Sequence, residues 1–146
     1  MGLGKNDEAA EILKKVVIGD PLNGRALIQL GQYLIQQAGK QDEIASEAEN
    51  QAQAAKDKAI DLEAEALGYY ESAAKIEKFK VEALTQHAQV LVIRRKEYAA
   101  AVKLLEEAQR IKFRDNVEKF LDEVRKAAEY QAAMKKAQAV EIKEEK

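Results

Sequence analysis

The stretch "DPLNGRALIQLGQYL", residues 20–34, decides how the rest of the chain is read. Its apolar positions Leu27, Leu30 and Leu34 follow the three- and four-residue spacing of one helix face, yet Gly31 stands among them. An interior glycine costs about 1 kcal/mol relative to alanine, so something must offset it. A second helix that approaches too closely for any side chain at that point would do so. On this reading the chain is built from paired helices.

Composition agrees. The chain has 146 residues, enough for one domain with a real core. Apolar residues make up 47% and charged residues 34%, strong helix formers dominate, and there is one Pro. The expected fold class is therefore all-α. Twenty-four basic residues against 26 acidic ones leave a net charge of −2, which gives no basic excess for nucleic acid or an anionic membrane surface. No apolar run approaches the roughly 18 residues of a spanning helix. The N-terminus lacks the basic-then-apolar order of a signal peptide. A complete chain of this kind is expected in the cytoplasm, although the absence of Cys leaves the compartment open.

Working outward, a first helix is expected over residues 6–18, with Ala9, Ile12, Leu13, Val16 and Val17 inward and "GDP" at 19–21 as its stop. The second opens after Asn23 and should end near Gly39, in the left-handed conformation that follows many helices. Between Asp42 and Lys78 there is no Pro and no Gly but Gly68, which predicts one helix of about 36 residues, roughly 54 Å long. A fourth helix is expected over 81–94 and a fifth over 97–112. The sixth starts after "RDN" at 114–116, with a tail beyond Lys135 that frays.

Two windows repeat. "RALIQLGQYL" from Arg25 aligns with "EALTQHAQVL" from Glu82 at an offset of 57; "AEALGYYESAAKIEKF" from Ala64 aligns with "AAAVKLLEEAQRIKF" from Ala99 at an offset of 35. The difference of 22 residues is a net insertion between Leu34 and Ala66. The pattern resembles the tetratricopeptide repeat (TPR), a helix–turn–helix of about 34 residues reading W-x2-L-G-x2-Y, then A-x3-F, then P. Leu27-x2-Leu30-Gly31-x2-Leu34 fills the first half and Ala66-x3-Tyr70 the second. Leu84-x2-His87-Ala88-x2-Leu91 and Ala101-x3-Leu105 form a looser second copy, and Ala9-x3-Leu13 with Val16 and Pro21 matches the second half of a preceding one. Phe113 stands where the motif has Pro, and Lys119, Asp122 and Glu123 fill the slots after Asn116. The resemblance implies an antiparallel helix–turn–helix solenoid in a single domain, residues 1–146, with one unusually long helix. Residues 6–18 would be half a repeat, 23–79 a repeat with its insertion at about 42–64, 81–115 a repeat, and 116–143 a C-terminal capping helix.

Within the insertion, Ala45, Ala48, Ala52, Ala55, Ala59, Leu62, Ala66, Tyr69, Ala73 and Ile76 keep a seven-residue period, the seam of a coiled coil with Ala in place of Leu or Ile. Such a seam can dock a second copy of the chain or another protein. It can equally pack internally against the second or last helix, since Ala is simply a good helix former.

Catalytic chemistry is not legible. His87 is the one His, it sits on the inner side of its helix, and no His or carboxylate lies three or four residues away on that helix. Carboxylate pairs such as Glu43/Glu47 and Asp61/Glu65 read as solvated faces, and no Gly-rich phosphate loop occurs. The expectation is a protein without enzymatic activity, cofactor or metal.

In the TPR family the first helices of successive repeats line a concave groove that receives peptides or partner helices. Carried onto this sequence, the resemblance gives Arg25, Ile28, Gln29, Gln32 and Gln36 from the second helix, and Thr85, Gln86, Gln89 and Ile93 from the fourth. Glutamines on a rigid helix face can donate and accept hydrogen bonds, although ordinary solvation also accounts for them. The expected partner is a protein or peptide, not nucleic acid and not a membrane. The alternative is a homodimer through the 42–78 helix.

Overall fold

The computed structural model describes residues 5–47 and 50–144, with side chains placed for 7–47 and 50–141. Among them there are six α-helices and no strand: α1 (Lys5–Gly19), α2 (Gly24–Glu47), α3 (Ala52–Ala74), α4 (Lys80–Val90), α5 (Tyr98–Ile111) and α6 (Asp115–Glu144). A 3₁₀ turn, Glu77–Phe79, precedes α4, and a π turn, Leu91–Arg95, follows it. The all-α class is thus correct. The chain divides between Ala83 and Leu84 into two compact units.

In the first unit, α1 stops at Gly19 and the side chain of Asp20 accepts a hydrogen bond from the Leu22 amide (3.2 Å). Asn23 then caps α2, its Oδ1 accepting the Ala26 amide at 3.0 Å, which satisfies one of the donors a helix start leaves open. Helix α2 carries buried Leu27, Leu30, Leu34 and Ala38, and it packs along its length against α3.

Two expectations fail here. α2 does not end at Gly39 but runs to Glu47, and among the described residues no glycine has a positive φ. Nor is 42–78 one helix: the chain turns at Asn50 and Gln51 and folds back as α3, which ends at Ala74. The cause is burial. A lone 54 Å helix would leave its alanine seam in water, whereas folding back covers Ala55, Ala59, Ala66 and Ala73. Ala48, another seam position, lies outside the described residues.

The hairpin explains Gly31. Gly31 lies 19 residues before Asn50 and Tyr70 lies 19 residues after Gln51, so the two are level across the pair. A Cβ at Gly31 would stand 2.5 Å from Cε1 of Tyr70, whose side chain is fully buried. Near the hairpin's open end the Phe79 ring takes the equivalent place over Gly24. The inserted residues lengthen both arms: α2 and α3 have 24 and 23 residues, against 11 plus 5 for α4 with its π turn and 14 for α5.

In the second unit Ala88, Leu91, Ala101, Leu105, Val117, Leu121 and Val124 form one buried cluster, with Tyr98, Leu104 and Phe120 packed at its edge. The α5–α6 turn is held by Gln109, whose amide donates to Glu118 Oε2 (2.8 Å) and to the Arg114 carbonyl (3.1 Å) and accepts from the Arg114 amide (3.1 Å). Helix α6 runs from Asp115 past Lys135 to Glu144.

Candidate partner-binding groove

Only part of the apolar stripe predicted for α1 reaches the core. Leu13 and Val17 are half-buried, but Ala9 is exposed, as are Ile12 (62%) and Val16 (36%); the buried residue is Ala10, outside the expected stripe. The short turn at 20–23 brings α1 back antiparallel along α2. It leaves an open cleft of about 430 Å³ lined by Ala9, Ala10, Ile12 and Leu13 on one side and by Gln29, Gln32, Tyr33 and Gln36 on the other.

Tyr33 fixes the two walls. Its hydroxyl donates to the Asp7 carboxylate, tying α2 to the start of α1. Burial pushes the Tyr33 phenol up to about 12; the bond to Asp7 and the negative charges of Asp7 and Glu11 add to it. The phenol therefore remains a neutral donor through the physiological range.

Of the nine residues expected to meet a partner, Gln29, Gln32 and Gln36 line this cleft. Ile28 does not: it is 3% exposed and belongs to the core, because helix rotation turns it toward α2's covered side. Arg25 lies outside the cleft lining, with its guanidinium 5.8 Å from the centre of the Phe79 ring, which Lys78 also approaches at 5.7 Å. The remaining four belong to the second unit, where Thr85 and Gln86 are half-buried and Gln89 and Ile93 are exposed. There the π turn closes on Lys96, a left-handed residue (φ 54°), through a 2.9 Å bond from the Glu97 amide to the Leu91 carbonyl.

The sequence reading missed Tyr33 and the α1 wall. The tetratricopeptide resemblance places the expected groove between first helices and reads residues 6–18 as a second helix, so their apolar side chains are expected in the core. The stripe itself carries no signal of this: five apolar positions on a helix of 15 residues are no more than an ordinary one-sided helix buries.

The second unit has two further clefts. Tyr98, Ala127, Tyr130, Gln131 and Met134 line one of about 300 Å³, where Gln131 donates to the Lys96 carbonyl (3.0 Å). The other, about 420 Å³, is polar and includes Arg125, which pairs with Glu106, Glu118 and Asp122 at 3.2–3.7 Å. These pairs are solvent-accessible and each contributes at most about 1 kcal/mol. Among the described residues no group of three or more His, Cys, Asp and Glu could hold a metal ion, and no helix is long and apolar enough to cross a membrane. Comparison of the chain with family models, with curated proteins and with solved structures returned no match.

Proposed function

We propose that this chain is a non-catalytic protein-interaction module that holds an amphipathic helix or peptide of a partner in the α1–α2 groove. The observation that carries the reading is Ile12, a large apolar side chain 62% exposed at the mouth of a cleft whose opposite rim is three glutamines. An apolar floor with adaptable donors and acceptors along one side suits a helix with one apolar stripe. We further read the helices as a TPR-like solenoid with a lengthened first hairpin and α6 as its cap. Gly31 against Tyr70, at the motif's small and aromatic positions, supports that arrangement.

Selection from a displayed library of random helical peptides tests the function. The wild-type chain should enrich peptides with apolar residues at three- and four-residue spacing, and Ile12→Glu or Gln32→Ala should lower their binding at least tenfold. Equal enrichment by wild type and Ile12→Glu would overturn the groove as the binding site. His87→Leu, outside the groove lining, should bind as wild type does.

A further inference from the structure

Among the described residues, each unit has an apolar helix stripe that is left uncovered. On α1 it is Ile12 and Val16 with Ala9; on α6 it is Tyr130, 69% exposed, and Met134, 44% exposed, with Ala133 and Ala137. The two stripes have the same layout. Glu8, Ala9, Ile12, Leu13, Lys15 and Val16 each map, at a constant offset of 121, onto Glu129, Tyr130, Ala133, Met134, Lys136 and Ala137. Both helices therefore carry an apolar seam and, along the same edge of it, a carboxylate followed seven residues later by an ammonium.

That layout fixes an orientation. When two such helices face each other end for end, like edges meet, so Glu8 falls opposite Lys136 and Lys15 opposite Glu129. Side by side in the same direction, the charged edges would lie apart. All four charged side chains are exposed. The antiparallel register also sets Met134 at the level of Ala10, and Tyr130 at the level of Lys14, next to Leu13. The surroundings separate the two roles: α1 has the glutamine wall of α2 beside it, whereas every residue of α6 from 132 to 141 is exposed, and Tyr130 and Met134 border the Tyr98 cleft only at its start.

We propose that the α1–α2 groove receives α6 of a second copy of this chain, antiparallel to α1, with Met134 and Tyr130 in the groove and the Glu8–Lys136 and Lys15–Glu129 pairs along its rim. This rests on the reading of the groove as a helix-binding site and names its occupant. One helix in one groove belongs near the low end of specific interfaces, about 1,200 Å² in total, so the association depends on concentration.

Sedimentation equilibrium of the full chain tests it. The wild-type average mass should rise with concentration, while Ile12→Glu and Met134→Glu, both at exposed positions and both checked for helicity by circular dichroism, should each remain monomeric. Mixed in equal amounts, the two variants should form a one-to-one heterodimer, because each keeps the surface the other has lost. Glu8→Lys with Lys15→Glu should weaken association at least tenfold, and adding Glu129→Lys with Lys136→Glu to the same chain should restore it. A monomeric wild type overturns the proposal. So does an Ile12→Glu chain that still self-associates, the result expected if α6 pairs with α6, and so do a mixture that stays monomeric and a charge reversal without rescue. A wild-type chain that is monomeric yet still enriches library helices loses this occupant but keeps the groove; failure of both removes the groove reading too.

Discussion

An alanine Cβ at Gly31 would stand 2.5 Å from Cε1 and 2.8 Å from Cζ of Tyr70, a ring that is itself 1% exposed. Overpacking of that kind costs about 1–3 kcal/mol and outweighs the roughly 1 kcal/mol that alanine gains in helix propensity. Gly31→Ala should therefore lower Tm, and in a Tyr70→Leu background the same change should become neutral or stabilising. Gly39 is the contrast: nothing stands within 4 Å of its built Cβ and its φ is not positive. Gly39→Ala should raise stability by about 0.5–1 kcal/mol, read from a denaturant midpoint. Gly31 was legible in the sequence because a glycine inside a leucine stripe needs a close neighbour. Ile28 was not, because the pattern alone does not say how far the covered side of α2 extends.

Tyr70 also links burial to pH. Its phenol is pushed up to about 12 by burial, whereas in the unfolded chain a tyrosine ionises near 10. Below pH 10 both states hold the proton and the contribution is fully present. Between 10 and 12 the unfolded state gives up the proton first, so stability falls as pH rises, by on the order of 2 kcal/mol for this group. Alkaline unfolding of Tyr70→Phe should have a shallower slope over that window. A slope equal to wild type would mean that Tyr70 ionises freely in the native state. Tyr33, raised by burial and by Asp7, and Tyr69, raised by burial and by Glu65, add to the slope in the same direction.

At the level of elements, five of the six helices were legible from stripe spacing and from stops such as "GDP" and "RDN". The α2–α3 turn was not, for a physical reason. The sequence between Glu47 and Ala52 has neither Gly nor Pro, and the seven-residue seam runs through it almost in phase. A helix that folds back on itself keeps the periodicity of one that continues. What distinguishes the two is whether the alanine seam finds a partner, and here the partner is the chain's own preceding helix. Ala66, fully buried in that seam, gives the test: Ala66→Leu should destabilise by about 1–3 kcal/mol by wedging the arms apart. An unchanged midpoint would mean that the hairpin is loosely packed there.

For the molecule as a whole, the sequence reading reached the fold class and three of the four residues of the α2 groove wall, but not α1 as the opposite wall. The α1 residues are ordinary core formers by type, and only the absence of a helix over Ile12 and Val16 turns them into surface. The unit boundary between Ala83 and Leu84 was likewise hidden, because it falls inside α4 rather than in a linker.

The lengthened hairpin has a mechanical consequence. The large buried side chains of the hairpin, Leu27, Leu30 and Leu34 on one arm and Tyr70 and Leu67 on the other, lie toward its base, whereas the buried residues nearest its tip are Ala38, Ala59 and Ala55. Helix α1, at 15 residues, has no length left to brace the outer turns. The hairpin is thus a zipper with progressively finer teeth, held by large side chains where it is rooted and by little dispersion energy where it ends. Native-state amide exchange should quicken steadily from the level of Tyr70 toward Asn50, with the tip opening and closing many times for each global unfolding. Uniform protection along both arms would mean that some other surface clamps the outer turns.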